Sequence, residues 1–236
     1  MTAEITIAGD HDLDAIHETF ATRRRIQVKH FLEPDSADAL RAGFDTPTDW
    51  YLAYTERGQN VESAMAEIDK LTPEQKRKFQ AQIDRTASTG FQFAFPQYYV
   101  TEEVKRGTEH ALNIANEFVN SEGFLGFMRR LTGVPEIRFA DVLASAYGPG
   151  HYLTDHDDTH GSRERVAAFV INLTRKWNRN WGGHLVFFDE DGNIEEGMIP
   201  TYNCLNVFQI PQAHAVQYVA PFAQGTRTSL TGWVHR

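Results

Sequence analysis

The sequence predicts a mainly β chain with flanking helices, of the sandwich or jelly-roll kind. From about Ile137 onward, short β-rich runs follow one another, separated by Gly, Pro and Asn clusters. The first half instead mixes helical patterns with a few strands, so its helices have no sheet of their own and are expected to pack outside the later one. Finally, 236 residues without an internal repeat or low-complexity linker suit one core. We expect a single domain over 1–236, with 1–136 as helical support and 137–236 as the jelly-roll core.

Taken in order, Leu13, Ile16 and Phe20 are spaced like one helix face, with Asp12 as its cap. Ile26 to Leu32 reads as a strand. Asp35 or Ser36 opens a short helix through Phe44, and Trp50-Tyr51-Leu52-Ala53-Tyr54 is strand-like. Thr72-Pro73-Glu74-Gln75 places Thr at the N-cap, Pro at the first helical position and Gln where a capping box wants it, so a helix follows to about Ala87. Another helix fits Glu109 to Val119. Ser121 caps one more, ending near Gly133 with Arg129 and Arg130 in its last turn. The β-rich runs are Ile137–Tyr147, Val166–Leu173, His184–Phe188, Cys204–Ile210, Ala215–Val219 and Thr226–Val234.

Composition excludes several classes. The apolar fraction of 41% and charged fraction of 23% are those of a globular protein. Val166 to Ile171, the longest apolar run, is too short to span a bilayer, so no membrane insertion is expected. Met1-Thr2-Ala3-Glu4 has no basic segment leading into an apolar stretch, so no secretory leader is expected. Cys204 is the only cysteine, which rules out an intrachain disulfide and fits a reducing, cytoplasmic setting. A net charge of −9 disfavours non-specific nucleic-acid binding. Two basic clusters, Arg23-Arg24-Arg25 and Arg175-Lys176-Trp177-Asn178-Arg179, read as solvated surface.

The chemistry concentrates in Tyr147-Gly148-Pro149-Gly150-His151-Tyr152-Leu153-Thr154-Asp155-His156-Asp157-Asp158. On a strand, His156 and Asp158 would share a face, so one imidazole and one carboxylate could reach the same ion. With a distant second histidine they would make a 2-His-1-carboxylate facial triad, which leaves coordination positions open on Fe(II). His214, opening a β-rich run, fits as third ligand, and His184 competes with it. His151, Asp155, Asp157 and His160 read as turn or supporting residues. Arg227, thirteen residues after His214, would be costly on an inward strand face unless it paired with a carboxylate, and Ser229 shares that face.

These motifs, taken in order, make the C-terminal half resemble the prolyl 4-hydroxylase-like branch of the 2-oxoglutarate and Fe(II)-dependent oxygenases. Tyr147…Gly150…Tyr152…His156-x-Asp158 is similar to the family's first metal segment. Trp177…Trp181-Gly182-Gly183-x-Leu185 resembles its W…GG-x-L segment. Pro200…Asn203…Phe208…His214-x-Val216 resembles its distal histidine segment, and Arg227-x-Ser229…Gly232-Trp233 its co-substrate arginine and tryptophan. Val28 to Pro34 resembles the family's opening strand. Animal collagen-type members use lysine in place of Arg227, and the ending Arg227 to His235 resembles the branch that modifies a ribosomal protein. One departure stands out: the family often carries Tyr-Tyr-Leu-Asn where this chain reads Ile171-Asn172-Leu173-Thr174.

The resemblance implies a double-stranded β-helix with iron on His156, Asp158 and His214. It implies that Arg227 binds the distal carboxylate of 2-oxoglutarate, with Tyr147, Ser229 and Asn172 as further pocket residues and Leu185 and Trp233 as walls. Fe(II), 2-oxoglutarate and O₂ are then required, with ascorbate a candidate stimulant. The expected reaction couples decarboxylation of 2-oxoglutarate to succinate with hydroxylation of a C–H bond. Asp158 favours hydroxylation, since related halogenating enzymes carry a small residue there. A protein or peptide substrate, with proline the first choice, is expected, and Arg175 to Trp181 offers a basic, aromatic loop to hold it. Three alternatives stay open: a free amino acid or other small metabolite as substrate, a non-catalytic jelly-roll binding protein, and a metal enzyme of cupin type without 2-oxoglutarate.

Overall fold

The computed structural model describes residues 4–159 and 164–236, which leaves His160 outside the described residues. The first half runs α1 (Leu13–Arg23), β1 (Arg25–Lys29), α2 (Pro34–Gly43), β2 (Tyr51–Glu56), β3 (Gln59–Ala64), α3 (Met65–Asp69) and α4 (Pro73–Ala87). β4 (Phe93–Tyr98), α5 (Val100–Lys105), α6 (Asn113–Val119) and α7 (Glu122–Thr132) complete it. The second half is β5 (Phe139–Tyr147), β6 (Tyr152–His156), β7 (Arg165–Asn172), β8 (Leu185–Phe188), β9 (Ile194–Met198), β10 (Cys204–Gln209), β11 (His214–Val216) and β12 (Arg227–His235).

Local chemistry explains most helix ends. The Asp12 carboxylate accepts the Ala15 N–H at 3.1 Å. Around Thr72 the capping box is complete, with Gln75 N–H donating to Oγ1 at 3.3 Å and Thr72 N–H donating to Gln75 Oε1 at 2.8 Å. Ser121 caps α7, and Gly133 closes it in the left-handed region at φ 71°. α2 departs from expectation. It starts at Pro34, and Glu33 makes no side-chain cap, because proline at the first position presets φ and has no N–H to satisfy.

All strand pairings are antiparallel. The order is β1-β10-β7-β12-β5-β4-β6-β11-β8-β9, with β2 also on β4 and β3 on β2. β4 joins the two faces of the roll, pairing Gln97 with Ser145 of β5 and Phe93 with Leu153 of β6. Such a mainly β architecture, nearly closed on itself, is the jelly roll the sequence predicts. One face carries the helices. Leu40, Phe118, Phe124 and Met128 pack there on Phe169, Ile171, Leu205 and Leu230. The alternate residues point inward, where Ala168, Phe208 and Trp233 meet Leu185 and Phe187 from the opposite face.

Strands of the first half belong to the same sheet as those of the second, since β1 pairs β10 and β4 pairs β5 and β6. The sequence concealed β3 and β4 for physical reasons. The hairpin turn uses Arg57 and Gly58, both at positive φ, rather than an Asn-Gly pair, and four of the six β3 residues are polar. β4 contains Pro96, which cannot donate to a ladder. The helix read over 109–119 begins only at Asn113, α5 precedes it, and β11 stops at Val216.

Gln92 ties this arm down. Its Oε1 accepts from Thr55 N, Thr55 Oγ1 and Phe93 N at 2.7–2.9 Å, while Nε2 donates to Thr55 O and Ile83 O. Its backbone N–H donates to Thr154 Oγ1 at 2.9 Å. Among the described residues, no helix is long and apolar enough to cross a membrane.

Gly232 marks the tightest crossing of β12 over β5. A Cβ there would sit 1.9 Å from Asp141 O and 2.7 Å from the Phe169 ring. Overpacking of that kind costs about 1–3 kcal/mol, so Gly232→Ala is expected to lower the Tm by roughly 3–10 °C in a circular-dichroism melt. Gly90→Ala, with nothing within 4 Å, should leave it unchanged. Equal melting of both variants would contradict the crossing.

Candidate metal centre and its surroundings

The β6–β11 pairing places His214 opposite His156. Asp158 completes the group, and one ligand atom from each residue lies within 4.8 Å of the others. Asp158 Oδ1 is 3.4 Å from His156 Nε2, and Oδ2 is 3.6 Å from His214 Nε2. The expectation that His156 and Asp158 share a strand face needs correcting. β6 ends at His156, and Asp158 lies beyond it at φ 62°. Left-handed backbone, which aspartate tolerates better than most residues, turns its carboxylate back toward the two imidazoles.

Both rings are held alike. His156 Nδ1 lies 3.0 Å from Thr154 O, and His214 Nδ1 lies 2.8 Å from Gln212 O. A carbonyl only accepts, so Nδ1 carries a proton and Nε2 is the nitrogen that faces the centre. Burial, with the neighbouring charge of His156, pushes His214 down to about 4, so it is neutral at physiological pH. Burial alone would raise Asp158. The hydrogen bond from His156 and the charges of the two histidines outweigh it and hold the carboxyl below the usual range. Burial alone would lower His156, yet the hydrogen bond to Asp158 and its charge outweigh that and raise the imidazole, so a divalent transition metal would displace a proton there. Two imidazole nitrogens and one carboxylate are then a donor set with open positions.

Deeper in the roll, Arg227 is buried and stands opposite Tyr147 across the β12–β5 pair. Its Nε and Nη1 have no hydrogen-bond partner. A buried guanidinium with unused donors fits a carboxylate, the one common partner that would offset its desolvation. The Arg227 guanidinium lies 5.1 Å from the Tyr147 ring centroid, and Tyr147 feels the charges of both Arg227 and Asp158. Burial raises the Tyr147 hydroxyl pKa. Ser229 is fully buried and shares a 2.9 Å hydrogen bond with Ser145. Asn172 faces Ser229 and Cys204 across the ladders, with Oδ1 unpartnered. Leu185 and Trp233 belong to the apolar cluster inside the roll.

Beside the metal group lies an open cavity of about 510 Å³, lined by His156, Asp158, Phe91, Phe93, Phe95 and Trp233 among others. Larger hollows elsewhere, such as one of about 880 Å³ between residues 4–13 and α6–α7, do not touch the metal group. Three contributors here escaped the sequence reading. Arg165 lies 3.8 Å over the Trp233 ring and donates to Asp158 O at 3.1 Å. The Phe91, Phe93 and Phe95 rings follow one another at 5.7 and 5.8 Å, and Phe95 stacks on Tyr147 at 4.6 Å. Asp141 braces Trp233 from behind, accepting its backbone N–H at 3.1 Å. Spacing by two of three phenylalanines was the one available signal.

His184 stands apart, with Nδ1 2.9 Å from Gln217 Oε1. Asp155 and Asp157 are exposed, and His151 Nδ1 accepts the Gly148 N–H at 2.9 Å. The 175–181 loop is not at the cavity mouth as expected. Trp177 bonds Gly182 O and packs edge-on against Trp181, Arg175 pairs with Asp38, and Lys176 and Arg179 stay exposed beside a separate hollow.

The profile of the 2OG-Fe(II) oxygenase superfamily matches residues 142–235, the segment that holds all three candidate ligands and Arg227. The prolyl 3-hydroxylase OGFOD1 of Xenopus laevis is 27% identical over 145 residues, covering 59% of this chain and 28% of that protein. Its Mus musculus counterpart is 26% identical over 120 residues, covering 48% and 22%. The chain thus spans about a quarter of the length of these curated relatives. Among solved structures, a Pseudomonas putida prolyl-4-hydroxylase superposes with a TM-score of 0.57 at 21% identity, covering 95% of this chain and 98% of that one. A Trichoplax adhaerens prolyl hydroxylase, solved with a hypoxia inducible factor peptide fragment, gives 0.62 at 13% identity, covering 94% and 88%. These two likenesses establish the shared fold. Over residues 142–235 the chain is thus similar to the 2OG-Fe(II) oxygenase superfamily, and the curated relatives it matches are prolyl 3-hydroxylases.

Proposed function

We propose that the chain hydroxylates a prolyl residue in a protein or peptide, using Fe(II), O₂ and 2-oxoglutarate, in a reducing, cytoplasmic setting. The observation that carries the reading is the pairing of a three-ligand metal group with a buried, unsatisfied arginine in one roll. A metal-binding protein without a carboxylate co-substrate has no use for that arginine. Bound iron would supply a chelation site for a 2-oxo acid and activation of dioxygen, with oxidative decarboxylation to succinate.

The protein's own contribution is orientation. His156 Nε2, His214 Nε2 and Asp158 would hold the metal, with Thr154 O and Gln212 O fixing the rings. Arg227 would take the distal carboxylate through its unpartnered Nε and Nη1, beside Tyr147 and Ser229. Asn172, with Leu185 and Trp233, would border the same co-substrate. Arg165 steadies Asp158 from its backbone side. The open, phenylalanine-lined cavity favours an extended chain over a small metabolite, which a closed chamber would suit better. The Trichoplax protein is a prolyl hydroxylase in complex with a peptide fragment, and that supports the same choice.

His156→Ala and Asp158→Ala are each expected to abolish Fe(II) binding and turnover, and His184→Ala to retain both. Iron stoichiometry by anaerobic titration decides it, and full iron content in the first two variants would refute the assignment. Arg227→Ala should keep its iron but lose about 2 kcal/mol or more of 2-oxoglutarate affinity, roughly 30-fold. An unchanged titration would place the carboxylate elsewhere. Incubation with Fe(II), 2-oxoglutarate and ascorbate should add one oxygen atom to proline-containing peptides in mass spectrometry. Oxygen addition to a small metabolite, with none to any peptide or lysate protein, would overturn the substrate choice and leave the enzyme class intact.

A further inference from the structure

The cavity beside the metal group is apolar along β4 and charged at its rim. Phe91 is 47% exposed and packs 5.5 Å from the His156 ring, with Phe93 and Phe95 continuing the row inward. Besides the Tyr99 hydroxyl, which donates to Asp141, five charged or titratable side chains line the space: Glu62, His156, Asp157, Asp158 and Arg165. Three are already committed. His156 and Asp158 belong to the metal group, and Arg165 lies against Asp158 and Trp233.

Glu62 and Asp157 remain. Glu62 accepts a hydrogen bond from the neutral Gln97 amide at 2.6 Å, and Asp157 accepts the Thr159 N–H at 2.9 Å. Both side chains are exposed, and among the described residues neither pairs with a cation. Both therefore present negative charge to whatever enters, on a chain whose net charge is already −9. The exposed Phe91 ring adds a face that attracts an ammonium or guanidinium group.

We propose that this cavity selects a basic peptide: a segment whose target residue is flanked by lysine or arginine, with Glu62 and Asp157 as the residues that set the preference. The proposal rests on the prolyl-peptide reading above and adds a sequence requirement to it. Exposed pairs of this kind are individually weak, and each should change affinity by about fivefold at most. Rim charges also act through encounter, so the preference should fade as salt rises.

The test uses the full chain with Fe(II) and 2-oxoglutarate under nitrogen, where binding proceeds without turnover. Three fluorescein-labelled peptides of one length share a central proline and carry lysine, alanine or glutamate on both sides. Fluorescence anisotropy should rank them lysine, alanine, glutamate. Glu62→Gln should shrink the lysine-to-alanine ratio by about threefold to fivefold, and Glu62→Lys should reverse the order. Asp157→Asn, checked for full iron content, should act in the same direction as Glu62→Gln. Equal binding of all three peptides, or a preference for glutamate, overturns the proposal. Admission of air separates the two ideas. Equal hydroxylation of all three peptides defeats the charge preference and keeps the prolyl reading. Selective binding of the lysine peptide without oxygen addition defeats the prolyl reading and keeps the recognition.

Discussion

Pairing between β6 and β11 governs the candidate metal centre. The two strands are short, yet their register alone decides whether His156 and His214 face each other. A slip of one residue would turn one imidazole to the opposite side of the sheet. The surrounding structure holds that register. β4 clamps β6 from one side, β8 clamps β11 from the other, and Phe208 and Phe187 pack around His214. Thr154 then fixes the His156 ring and is itself bonded to Gln92. Ligand geometry is thus inherited from sheet geometry, which is stiffer than any loop could provide.

Asp158 works by a different principle. It lies outside the strand in left-handed backbone, where its side chain is placed by turn geometry and by Arg165 bonding its carbonyl. The period-two argument from sequence therefore named two residues that the fold brings together, though through a different conformation. His214 was legible because it opens a β-rich run, and Arg227 because charge on an alternating strand demands a partner. Helix ends were legible wherever a side chain caps them, as at Asp12, Thr72 and Ser121.

The side that lines the cavity was far less legible. β3 has only Val61 and Ala64 as apolar residues and β4 contains a proline, so neither declared itself as sheet. Arg165 stands at the start of β7, and nothing in its neighbours predicts that it stacks on Trp233 across the roll. Conversely, the conspicuous 175–181 loop looked like a recognition element, yet none of its residues lines the cavity beside His156, and Trp177, Trp181 and Arg175 find partners nearby. Composition reports which groups are available. Whether they face outward depends on partners distant in the chain.

Gln92 has no exposed surface, and its amide bonds β2, α4 and the start of β4 at once. Through Thr55 and Thr154 it binds the hairpin that bears Glu62 to the strand that bears His156. These two walls of the cavity therefore move as one body rather than as a flap over a fixed base. A preorganised cleft loses little conformational freedom on complex formation, so the entropy lost falls mainly on the incoming chain. Stiff or turn-forming segments should consequently associate better than floppy ones of equal charge, independently of any contact they make.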